Sequence, residues 1–110
     1  MKSTDISLSL QIIKDFFKQN NIIVLKILLF GSRVRENHSA DSDIDLIVIT
    51  DQELNPLSKR RFLARLTSHL ISRNAMLPMD LIIKSQKEFD AEKEYIGTLS
   101  YNIALNNISL

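Results

Sequence analysis

One stretch limits the fold of this chain more than any other: Asp43-Ile44-Asp45-Leu46-Ile47-Val48-Ile49, an apolar run that opens with two acidic residues. Its length and β-branched content predict a buried strand over residues 43–49. In a strand, positions i and i+2 point to the same face. Asp43 and Asp45 therefore project side by side, while Ile44 and Leu46 turn the other way. Two carboxylates that close repel each other unless a cation lies between them. Hard divalent ions prefer oxygen ligands, and magnesium keeps positions open for the oxygens of a substrate phosphate. The plainer alternative is that the pair merely opens a strand from a polar loop.

Two more runs read as strands. Residues 22–30 are rich in large and β-branched apolar side chains and stop at Gly31, and residues 79–83 follow Pro78 and carry Asp80 near their start. If the strand with Asp80 neighbours the one with Asp43 and Asp45, the acidic groups converge at one end of a sheet. Such a cluster can hold two metal ions roughly 3.5–4 Å apart, one on the phosphates and one on the attacking oxygen. Asp80 would then also draw the proton from an acceptor hydroxyl; its plainer role is to cap a loop after Pro78. Gly31-Ser32 closes this end, because glycine lets the backbone approach a ligand and free N–H groups at a helix start favour phosphate. Ser32 adds a hydroxyl donor, and Arg33 and Arg35 follow as counter-charges for a polyphosphate. A solvated surface position is the alternative for Arg33, and the better one for Arg35.

The rest of the chain supplies helices. Ile6, Leu10, Ile13 and Phe17 share one helical face that Ser3, Thr4 or Asp5 can cap, and Asn20-Asn21 breaks the pattern. Between Gly31 and Ser42 there is room for one short helix and a loop. Asn55-Pro56 is an N-cap followed by proline at the first helical position, and Leu57, Phe62 or Leu63, Leu66 and Leu70 give that helix its stripe. A last helix is expected over residues 88–105, with Phe89, Ile96, Leu99 and Ile103 inward and Gly97 inside it. Residues 108–110 either add a short edge strand or fray. The order predicts an α/β (α+β) chain with a small mixed sheet flanked by helices, these covering one face.

Composition narrows the function. A chain of 110 residues suits a single domain over 1–110, and the absence of cysteine excludes a disulfide scaffold, a thiol nucleophile and a thiolate zinc site. A net charge of +1 provides no field to draw the domain onto nucleic acid. The start Met1-Lys2-Ser3-Thr4-Asp5 lacks signal-peptide character, and no apolar run approaches a membrane span, so a soluble cytoplasmic protein is expected. Lys59-Arg60-Arg61 with Arg65 and Arg73 reads as a solvated helix flank rather than a nucleic-acid or partner contact. His38 and His69 lack metal-ligand spacing, His69 reading as a helix-surface residue, and Tyr95 and Tyr101 fit packing or an interface better than catalysis.

Taken together, Leu29-Phe30-Gly31-Ser32-Arg33, the stretch to Ser42 and then Asp43-Ile44-Asp45-Leu46 resemble the GS-x10-DxD signature of the nucleotidyltransferase superfamily. More narrowly, the whole chain is similar to the minimal nucleotidyltransferases (MNT), many of which pair with all-helical HEPN toxins. The resemblance implies a polymerase-β-like fold and transfer of a nucleoside monophosphate, AMP from ATP, to a hydroxyl. It implies that Gly31 and Ser32, with Arg33, grip the triphosphate, that Asp43 and Asp45 ligate Mg²⁺, and that Asp80 completes the triad. It also implies a tyrosine of a HEPN-type partner as acceptor. The chain departs from the family pattern at Glu36, where a glycine is common, and at its ending, Asn107-Ile108-Ser109-Leu110. Little sequence follows the third strand, so the acceptor surface is expected from a second copy or another protein. A contact-only antitoxin and a small-molecule nucleotidyltransferase completed by dimerisation are the rival expectations.

Overall fold

The computed structural model describes residues 6–31 and 43–110. Its elements run α1 (Ile6–Gln19), β1 (Val24–Phe30), β2 (Ile44–Thr50), α2 (Pro56–Ser72), β3 (Met79–Ser85), α3 (Gln86–Glu92), α4 (Leu99–Leu105) and β4 (Ile108–Ser109). The expected short helix and loop before Ser42, and the caps Ser3, Thr4 and Asp5, lie outside the described residues. Each boundary has a local cause. Asn21 takes a left-handed φ of 60° beyond α1, and the N–H of Ile22 returns to the Phe17 carbonyl at 3.0 Å. Asn55 caps α2 by accepting from the Ser58 N–H at 2.8 Å, with Pro56 next.

The strands form one mixed sheet in the order β3-β2-β1-β4. β1 is antiparallel to β2 and to β4, whereas β2 and β3 are parallel, joined across the sheet by α2. The C-terminal segment thus makes a short edge strand, with Ile108 beside Leu29.

Helices lie against both faces of this sheet, not one as the sequence pattern suggests. Ile44, Leu46 and Val48 of β2 face α1 and α2, packing with Ile13, Phe17, Phe62, Leu66 and Leu70. The alternate residues Ile47 and Ile49 face α3 and α4, where they pack with Leu28, Phe89 and Ile103. A run apolar at every position is what a strand covered on both sides requires. Each of these fully buried side chains contributes about 1.5–3 kcal/mol by leaving water. Buried Ser9 fastens α1 to the connection between α2 and β3 by donating to the Ala75 carbonyl at 2.6 Å.

The single last helix expected over 88–105 is two. Ser85 and Glu88 form a reciprocal capping box that starts α3. Gly97 then takes φ 96°, and Thr98 caps α4 by accepting from the Tyr101 N–H at 3.0 Å. Ile96 and Leu99, expected inward, are exposed at 83% and 46%, because they sit at this break. Leu57, also expected inward, lies exposed in the first turn of α2, ahead of the part that meets the sheet.

Candidate active site

The site takes shape at the end of the sheet where β1 finishes and β2 and β3 begin. The parallel register sets Asp45 opposite Asp80, and on its other side Asp45 stands opposite Phe30. Side chains at paired positions share a face, so Phe30, Asp45 and Asp80 form one row across β1, β2 and β3. The row behind it is Leu28, Ile47 and Ile82, all apolar and packed under α3 and α4. The acidic row is therefore the rim of a core whose interior is closed to water. Asp43 stands one residue ahead of β2, exposed, and the N–H of Ile44 between the two aspartates is held by the Pro78 carbonyl at 3.0 Å. The condition that the strand with Asp80 neighbours the one with Asp45 is met through this register, while Asp43 stands just outside the sheet.

Asp45 is half-buried while Asp43 and Asp80 are exposed. Burial, then the negative charge of Asp80, then that of Asp43 hold the Asp45 carboxyl above its ordinary value. The row thus concentrates negative charge on one partly dehydrated oxygen pair, which a divalent cation would relieve. Among the described residues no group of three or more His, Cys, Asp or Glu side chains stands preformed as a metal cage. The donor set, carboxylate oxygens alone, fits a hard ion such as Mg²⁺ and suits no soft metal.

Gly31 has a more local purpose than sequence reasoning assigns it. It follows β1 with φ 77°, a conformation that L side chains rarely adopt. A Cβ built on it would collide with the Asp45 carboxylate oxygen and stand 3.1 Å from its Cγ. The glycine is therefore the wall against which the Asp45 side chain lies. Whatever it does for a ligand, it first leaves room for the aspartate.

Of the other residues singled out, Ser32, Arg33, Arg35, Glu36 and His38 lie outside the described residues. The basic face of α2 is partly engaged within the chain. Lys59 pairs with Glu88 at 3.3 Å, and Arg65 donates to the Asn20 side-chain oxygen at 3.1 Å while stacking over Phe16 and Phe62. His69, expected on the helix surface, is half-buried with its ring 5.0 Å from that of Phe16. Tyr95 is exposed and Tyr101 half-buried. Phe30 was not foreseen as a neighbour of Asp45. Only the pairing of β1 with β2 reveals it, and no signal in the β1 stretch alone could have.

The family model described as polymerase beta nucleotidyltransferase matches residues 11–106 of the chain. No curated protein sequence matches it. Several solved structures share the fold. A toxin–antitoxin with AMP-PNP aligns with a TM-score of 0.56 at 19% identity, over 90% of this chain and 69% of its own. A putative nucleotidyltransferase from Sulfolobus solfataricus aligns with a TM-score of 0.56 at 21% identity, over 77% and 70%. The tri-AMPylated Shewanella oneidensis HEPN toxin in complex with MNT antitoxin gives 0.54 at 19%, over 94% and 69%. At such identities the likeness establishes the fold, a mixed sheet between helices of the polymerase-β-like type.

Proposed function

The chain belongs to the polymerase beta nucleotidyltransferase family, and from that premise we propose that it moves AMP from ATP onto a hydroxyl of a partner protein, a HEPN-type toxin, as a minimal nucleotidyltransferase antitoxin. The observation that carries the chemistry is the register that pairs Asp45 with Asp80, with Asp43 beside them and Gly31 against the Asp45 carboxylate. The fold neighbours that carry AMP-PNP or an AMPylated HEPN toxin support the donor and the acceptor.

Asp43, Asp45 and Asp80 would hold Mg²⁺, two ions when the triphosphate is bound, and the metal would supply neutralisation of the phosphate charge. Asp45, backed by the row of Leu28, Ile47 and Ile82, holds a fixed orientation because its floor is packed and Gly31 closes its side. Asp80 is exposed and so reachable by an acceptor from outside. It takes the proton of the acceptor hydroxyl as that oxygen bonds to the α-phosphorus; the bond from phosphorus to the bridging oxygen breaks, and pyrophosphate leaves. Gly31 and Ser32 with Arg33 grip the triphosphate in this reading. Rate comes from positioning and preorganised charge rather than from a covalent enzyme intermediate. No helix among the described residues is long and apolar enough to cross a membrane; a cytoplasmic site of action is part of the same proposal.

The test is incubation of the purified chain with Mg²⁺, α-labelled ATP and lysate of its own host, beside the Asp43→Asn/Asp45→Asn variant. A labelled protein band that requires Mg²⁺ and both aspartates is expected, and its identity names the acceptor. Label confined to a small molecule would move the reading to a small-molecule enzyme completed by dimerisation. Absence of both label and nucleotide binding would sink it in favour of an antitoxin that acts by contact.

A further inference from the structure

A sizeable cavity among the described residues is far from the acidic row. It measures about 750 Å³ and lies between α1 and the first half of β1, with Leu110 at its end. The edge strand β4 pairs with Leu28 and Leu29, and the Leu110 N–H reaches the Ile27 carbonyl at 2.8 Å. Beyond that, no described strand covers Val24, Leu25 and Lys26 on this side. Ile23, Leu25 and Leu110, which line it, are exposed at 58%, 46% and 38%. The register shifts between Val24 and Lys26, so Leu25 is the extra residue of a β-bulge. A bulge followed by a lysine blunts an edge against strand addition. Recognition here must therefore run through side chains.

Charge selects the occupant. Among the described residues the lining holds Lys14, Lys18 and Lys26 and no acidic side chain. Neither Lys14 nor Lys18 forms an ion pair among the described residues, whereas Lys26 also lies near Asp90. A second copy seated here about a two-fold axis would bring this lysine-rimmed patch against itself, which like charges oppose. We propose that the groove between α1 and β1 docks a partner protein through a segment whose apolar ridge meets Ile23, Leu25 and Leu110 and whose flanking carboxylates meet Lys14 and Lys18. From Leu25 to Phe30 the strand advances roughly 17 Å at about 3.4 Å per residue. A partner held in the groove therefore leaves the acidic row open. Docking is independent of any reaction at Asp45, and its failure leaves the nucleotidyl-transfer reading standing.

The probe is a fluorescein-labelled peptide of alternating leucine and glutamate, with a glutamine-for-glutamate version and a lysine-for-glutamate version as controls. Fluorescence anisotropy with the full chain should show binding of the glutamate peptide that weakens with salt. Lys14→Glu/Lys18→Glu and Leu25→Asp should each weaken it about tenfold or more, Lys14→Gln/Lys18→Gln less, and Asp45→Asn not at all. Circular dichroism confirms that each variant is folded before it is compared, and amide NMR shifts should cluster at residues 21–27 and Leu110. Equal binding of the glutamate and glutamine peptides, or indifference to the charge-reversed lysines, overturns the proposal. So does a dimer in sedimentation equilibrium that Leu25→Asp dissolves, since the face would then belong to a second copy.

Discussion

Replacing Gly31 by alanine separates two costs that the structure places at one residue. The first is backbone strain, since a left-handed φ of 77° costs an L residue about 1–2 kcal/mol. The second is the Asp45 carboxylate, which occupies the space of the new methyl and must swing aside. Its oxygens are the far end of a side chain, so the swing costs only about 0.5–1.5 kcal/mol in rotamer energy. The sum, roughly 1.5–3.5 kcal/mol, should appear in urea melts followed by circular dichroism and as a fall in melting temperature of about 6–15 °C. Gly97→Ala is the control, because Gly97 has φ 96° with nothing within 4 Å of the added methyl. It should show the strain alone. Removing the obstacle should recover the difference: in a double-mutant cycle with Asp45→Ala, Gly31→Ala should cost about 1 kcal/mol less than in the parent, a coupling above the additivity noise of about 0.3–0.5 kcal/mol. Labelling activity of Gly31→Ala should fall about 10²-fold, the effect of displacing a positioned group by about an ångström. Additive stabilities together with undiminished activity would refute the claim that this glycine exists to seat Asp45.

Three further outcomes follow from the same geometry. The folded chain holds the Asp45 carboxyl above its ordinary value, so it keeps this proton to higher pH than the unfolded chain does. Ionisation therefore opposes folding as pH rises through that window, and in metal-free buffer Asp45→Asn should be more stable than the parent at pH 7, by less than about 1 kcal/mol after solvent screening. The advantage should vanish in acid, and a destabilised Asp45→Asn would contradict the reasoning. At Glu88 burial pushes the carboxyl up, but the Ser85 backbone N–H and Lys59 outweigh it and hold the carboxyl below its ordinary value. Its stabilisation is present above that value and lost as pH falls through the folded one, so Glu88→Gln, which keeps the capping box, should trail the parent at neutral pH and converge on it in acid in urea melts. Glu88→Ala should lose about 1 kcal/mol more, as the cap goes too. Asp80→Asn, at an exposed position, should stay within about 0.5 kcal/mol of the parent in stability yet lose labelling by about 10²-fold or more.

How much of this was legible in the sequence differs from residue to residue. Asn55-Pro56 announces the start of α2 because a cap is a contact between near neighbours. The strand period predicts Asp43 and Asp45 on one side, but β2 begins at Ile44 and places only Asp45 in the sheet. The split between α3 and α4 was equally local, written in Gly97 and the Thr98 cap, but the apolar residues Phe89, Ile96, Leu99 and Ile103 mimic one continuous stripe. Periodicity reports which residues are apolar, and Ile96 shows that an apolar residue need not be buried. The helices on both sheet faces were likewise implicit in the unbroken apolar run of β2, whose two parities both lie buried.

By itself, then, the sequence determined what contacts within a few residues can decide: where α1, α2 and the strands form, that acidic residues stand at and just before the start of β2, and that a glycine ends β1. Tertiary structure alone decided which groups became neighbours. Asp80 meets Asp45 only because β3 pairs in parallel with β2, and Phe30 joins them only through the antiparallel register of β1. Gly31 and Asp45 are fourteen positions apart along the chain, yet one has no side chain so that the other can have its place. A register shift of one residue would send every side chain of a strand to the opposite face. Because both parities of β2 are apolar, it is Asp45 that opposes such a shift, which would drive its charge from the rim toward the core under α1 and α2.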